Sequence, residues 1–347
     1  MPLRTIEQKI RCTRYCIEPN PKIVGLITGF IDGCNYFLSS SKIEKISMVG
    51  CYSYDFIPHV MRTAPDSNYM VMDIHYMDFF ADFLQLDGTD ETIKAFFYKY
   101  MSEIESKKGC YAYSQFWQKK LSGLNSLVAF YDNTDLLKQC FLCGMQLFYH
   151  ELAHAAPEAF GKTSFLDFFN HLSHDYQDIK KEDLYSDEFK KMSDECYSDF
   201  IALSMTEIQA NVWDMNIEFR YNLYIKLLAS LQLFRFLSSM TIDSLITTTI
   251  DTSMFNVHRI GIDSHILAMI GRYDRNSNWM NVDLACIMAD IQNIMTSFMK
   301  NISDSLIDIA NDFNEFIADL DVDKVNRAGF TNHLEAREKA WIYSPHH

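Results

Sequence analysis

His150-Glu151-Leu152-Ala153-His154 is a stretch whose residue types and spacing can carry out chemistry together. On an α-helix, positions i and i+4 lie one turn apart on the same face, so His150 and His154 can aim two imidazoles at one Zn²⁺. Glu151 is placed beside them to take a proton from a water activated by that ion. The pattern H-E-x-x-H is short enough to arise by chance. Its meaning depends on a helix beneath it and on a third ligand.

The helix is legible. Leu136, Leu137, Phe141, Gly144, Phe148, Leu152 and Ala155 keep helical spacing after a start at Asn133 or Asp135, and Pro157 limits continuation. Cys140 and Cys143 lie on this apolar-patterned helix and have no second pair at zinc-ribbon spacing, so they are expected to be buried thiols. Cys12 and Cys16 lack such a pair as well.

A catalytic zinc site takes three protein ligands and keeps a position for water. The metzincin arrangement requires glycine at position 157 and histidine at 160, where this chain has Pro157 and Phe160. Glu195 and Asp199 are spaced i, i+4 on the next expected helix, which Ser193 or Asp194 can cap and which runs to about Trp213. One of the two carboxylates can ligate the metal, and the other can accept the free ring N–H of a zinc-binding histidine. His171 and His174 are alternative third ligands, although both lie in the polar segment Gly161 to Lys191, where a solvated histidine is the default.

The surrounding elements read as α+β, mainly α. Asn68 to Ile74 is β-prone and leads directly into a helical pattern at His75–Leu84, with Tyr76, Phe79, Phe80 and Phe83 on one face. His75 is expected to start that helix rather than to ligate. Lys22 to Phe30 suits a strand or a short helix, and Ile43 to Val49 suits a strand. Further helices are expected at Asp90–Met101, at about Asn216–Ser239 and at Phe255–Gly271. Val282 to Leu320 is periodic, with a break at Asn301 to Asp304, and Phe330 to His347 reads as a tail. The expected organisation is one catalytic domain over 1–347, with an N-terminal α/β segment at 1–65, a metal-binding core at 66–215 and a helical C-terminal part at 216–347.

Composition narrows the function classes. The 347 residues are 48% hydrophobic, enough for a large core, and 31 Lys plus Arg against 46 Asp plus Glu give a formal charge of −15. That balance argues against nucleic acid or an anionic membrane as the main partner. An odd count of nine cysteines in a chain this long points to a reducing cytoplasm. Met1 to Cys16 has no apolar core of a signal peptide. No run of apolar residues is expected to reach membrane-spanning length; the best candidate, Leu223 to Met240, is interrupted by Lys226, Gln232 and Arg235.

His150-Glu151-Leu152-Ala153-His154 taken with Glu195-Cys196-Tyr197-Ser198-Asp199 resembles the gluzincin metallopeptidases. The resemblance implies a zincin-like core, Glu195 as third zinc ligand and Asp199 supporting a ligand histidine. In a zincin core an edge strand lines the cleft and can pair with an extended peptide. Within that group the order of elements is similar to the Lit-type prophage peptidases, cytoplasmic enzymes of phage exclusion, and Arg259 falls where that family has a downstream arginine. This chain has Ser253-Met254 where those peptidases have His-Pro, and a longer interval between His154 and Glu195.

The expected activity is zinc-dependent hydrolysis of a peptide bond in a cytoplasmic protein, with one Zn²⁺ and with Glu151 as general base. Candidate donors for the developing oxyanion are His258 and Arg259 by chain position, or Tyr221 or Tyr224, and the role favoured for Arg259 is a buried ion pair with Asp199 or another carboxylate. The rival reading is a regulatory protein that keeps a zincin scaffold without catalysis. An intact Glu151 weighs against it, because zinc binding alone does not require that residue.

Overall fold

The computed structural model describes residues 3–160 apart from short connecting stretches, together with 187–239, most of 286–300, and 342–343. The chain is mainly helical with a small mixed sheet, α+β as its patterning implies. Helices α1 (Leu3–Thr13) and α2 (Pro21–Ser40) precede strands β1 (Ile46–Cys51), β2 (His59–Ala64) and β3 (Ser67–Asp73). Then come α3 (His75–Leu84), α4 (Asp90–Lys107), α5 (Tyr111–Leu121), α6 (Thr134–Ala155), α7 (Asp187–Val212) and α8 (Ile217–Ser239). Residues 289–298 are helical, and Ile342–Tyr343 form β4.

The sheet order is β2-β3-β1-β4, with β1 and β3 parallel and the outer pairs antiparallel. Side chains alternate across the two central strands. Ile46, Met48, Met70 and Met72 point into the core shared with α2, α3 and α6, whereas Val49, Cys51 and Val71 pack under Ile6 and Ile10 of α1. Covering both faces is what a parallel pair requires.

β3 is hydrogen-bonded on both sides, so the strand that leads into α3 is not the sheet edge. Among the described residues the outer strands of the sheet are β2 and β4. Both β2 and β3 contact α6.

Several elements depart from the sequence pattern. The stretch after Asn20 is one 20-residue helix: Asn20 caps it by accepting from Lys22 N–H, and Pro21 occupies the first turn. α2 is also long and apolar enough to cross a membrane, at mean hydropathy 1.2, where no run of that length was expected. One of its faces, including Ile23, Ile27, Ile31 and Leu38, is buried in the core, while Tyr36 is exposed. α7 is already helical at Asp187, ahead of the caps expected at Ser193 or Asp194. Two residues of the expected tail pair with β1 as β4. The expected helix at Phe255–Gly271 and the break at Asn301–Asp304 lie outside the described residues.

Candidate metal centre

α6 carries the motif and is fixed at both ends. The Asn133 side chain accepts from the N–H groups of Asp135 and Leu136, and Asp135 adds a negative charge to the first turn. Pro157 follows the last turn and opens a 3-10 segment, Pro157–Phe160. Between the ends, Phe148 and Leu152 are fully buried, so the opposite side of the same two turns faces α7. Gly144 sits where α2 comes closest: a Cβ there would lie 2.9 Å from Phe30 Cζ. Cys140 and Cys143 are buried free thiols as expected, with burial pushing both well up.

α6 and α7 run antiparallel, as three polar rungs show. Thr206 donates to Gln146 at 3.0 Å, Asp199 meets His150, and Ser198 meets His154. Residue numbers fall along α6 as they rise along α7. Gln146 and Thr206 are both buried, so this rung fixes the axial register of the two helices away from water.

That register brings together His150, His154, Glu195 and Asp199, as their spacing suggests. Nε2 of His150 lies 3.2 Å from Nε2 of His154. The Glu195 carboxylate closes the triangle, with Oε2 at 3.4 Å from His150 Nε2 and Oε1 at 3.5 Å from His154 Nε2. Among the described residues these three form a group able to hold a metal ion, one donor atom from each lying within 4.8 Å of the others.

The remaining ring nitrogens decide what the Nε2 atoms can do. Asp199 Oδ1 is 2.8 Å from His150 Nδ1; a carboxylate only accepts, so the Nδ1 proton points at Asp199. Ser198 Oγ, on a residue 1% exposed, is 3.2 Å from His154 Nδ1. With Asp199 taking the Nδ1 proton of His150, and Ser198 Oγ able to take that of His154, two Nε2 lone pairs and a carboxylate can face one another. Such a set of acceptors is stable only around a cation or a proton. Burial disfavours the His150 imidazolium, but the Asp199 carboxylate outweighs it and raises the ring to about 10. A metal entering this site therefore replaces a proton.

Glu151 lies in the same turn as His150, is 9% exposed, and its charge also acts on that ring. Ser198 escaped the sequence reading. Its signal was its place i+3 from Glu195, on the face that carries Asp199 at i+4. The two tyrosine candidates are tied elsewhere: Tyr224 Oη donates to Glu207 at 2.9 Å, and Tyr221 Oη donates to Asp290 at 2.8 Å. His258, Arg259, His171 and His174 lie outside the described residues. His75 begins α3 as expected, with Nδ1 donating to Ser53 O at 3.0 Å. Comparison with protein-family models, curated proteins and solved structures finds no match.

Proposed function

We propose that the chain is a zinc-dependent endopeptidase acting on a protein or peptide substrate. The observation that carries this reading is the convergence of His150, His154 and Glu195 while Asp199 and Ser198 hold the outer ring nitrogens. His150 and His154 would supply Nε2, and Glu195 a carboxylate oxygen. Zinc held there supplies a Lewis acid that acidifies water and polarises a carbonyl. Glu151 accepts the proton of the attacking water and passes it to the amine nitrogen as the C–N bond breaks. Asp199 holds the His150 ring in the tautomer that leaves Nε2 available.

The likeness to Lit-type peptidases extends the proposal to a specific cytoplasmic protein as substrate, cleaved in phage exclusion, on a zincin-like core. The test is N-terminal labelling of the proteome in cells expressing wild type or Glu151→Gln. Discrete new N-termini should appear with wild type alone, while the variant retains its zinc. The same termini in both would remove catalysis from the account.

A further inference from the structure

A cavity of about 360 Å³ opens between the end of α3, the start of α4, the middle of α8 and the helical residues 289–298. Its floor is apolar: Phe83, Ile93 and Phe298 line it and are each at most 3% exposed. Its mouth is polar. Asn293 and Ser297, one helical turn apart, line the cavity and are solvent-exposed. Lys226 lines it as well.

Lys226 is the anomaly. It stands inside the run Tyr224-Ile225-Lys226-Leu227-Leu228, whose other members are buried. Burial pulls its ammonium below the usual lysine range. No carboxylate among the described residues pairs with it, although such pairs occur nearby: Lys99 is matched by Asp82, and Arg220 by Glu207 at 2.5 Å. A half-buried cation beside an apolar cavity, with amide and hydroxyl groups at the rim, is complementary to an anionic head on an apolar body.

We propose that this cavity binds a free monocarboxylic acid with a medium-length apolar tail. The tail lies on Phe83, Ile93 and Phe298. The carboxylate meets Lys226 at the mouth, with Asn293 and Ser297 as hydrogen-bonding partners. The volume, near the lower end for ligand sites, suits a medium chain.

The test is calorimetric titration of the purified full chain with octanoate, paired with thermal unfolding. Octanoate is expected to bind saturably at one per chain and to raise Tm. Octan-1-ol, which lacks the charge, and octylammonium, which reverses it, are expected to bind at least about tenfold more weakly. Lys226→Met should weaken octanoate by a similar factor with no loss of Tm in the free protein. Ser297→Trp, a change at an exposed position that blocks the mouth, should remove octanoate binding. No saturable octanoate binding, equal binding of the alcohol or the ammonium, or undiminished binding by Lys226→Met would each overturn the proposal. None of these readings depends on zinc or on peptidase activity.

Discussion

Asp199 Oδ1 lies 2.8 Å from Nδ1 of His150, so α7 fixes the tautomer of a histidine on α6. Asp199→Asn preserves the volume but offers an NH₂ group that can donate to Nδ1 and reverse the tautomer. Zinc affinity should then fall by roughly 10–100-fold, the usual cost of losing such a partner. Competition with a chelator measures it. An affinity equal to wild type would mean that the ring is held by other contacts.

Ser198 meets the second histidine at 3.2 Å, as a neutral partner rather than a charged one. Ser198→Ala should therefore weaken zinc by less than Asp199→Asn does, because charge-assisted hydrogen bonds are about twice as strong as neutral ones. The same chelator assay ranks the two. A Ser198→Ala loss exceeding that of Asp199→Asn would reverse the assignment of the two anchors.

Gly144 is a packing requirement of the helix that carries the motif. A Cβ there would come within 2.9 Å of Phe30 Cζ and 3.3 Å of Met77 Sδ, and Phe30 is held by stacking on Phe141 at 5.9 Å. Gly144→Ala gains helix propensity but forces the Phe30 ring, with Met77 beside it, to shift. The expected net is a destabilisation of about 1–3 kcal/mol, read by urea unfolding. A stabilised variant would show that the two helices have slack between them.

His75 gives a pH dependence outside the metal centre. Its ring is buried, stacks on Tyr52 at 4.3 Å, and has Nε2 3.4 Å from Glu103 Oε2. Burial opposes the charge, but Glu103 with Asp78 outweighs it, and the pKa rises above 6.5. A raised folded-state pKa means that the ionised ring stabilises the fold. That stabilisation is complete below the unfolded value and is lost as pH climbs through the folded one. The stability gap between wild type and His75→Gln should therefore narrow as pH rises from about 6.5. Urea titrations at stepped pH check this, and a gap that widens with pH would contradict it.

The two helices of the metal centre were legible because their signals were local and agreed. Asn133 caps α6, Pro157 closes it, and the i, i+4 pairs His150/His154 and Glu195/Asp199 each mark one face. α3 was equally plain, its aromatic residues at helical spacing directly after a β-prone run. α2 was ambiguous because Gly25, Gly29 and Gly33, with β-branched Ile and Val, lower helix propensity; capping and burial decide its conformation. β4 pairs Tyr343 with Gly50, almost the whole chain apart, and two residues leave no local mark. Ser198 was illegible as an anchor because serine on a helix usually faces solvent, and only the packing of α7 on α6 puts its hydroxyl at His154.

The central claim is that His150, His154 and Glu195 hold one zinc ion. Zinc content by elemental analysis, with affinity by chelator competition, should be compared for wild type and Glu195→Gln, with circular dichroism to confirm folding. One zinc per wild-type chain is expected and, in a folded variant, an affinity lower by at least about 10–100-fold. A wild-type chain that takes up no zinc, or a Glu195→Gln chain that holds it as tightly as wild type, would contradict it.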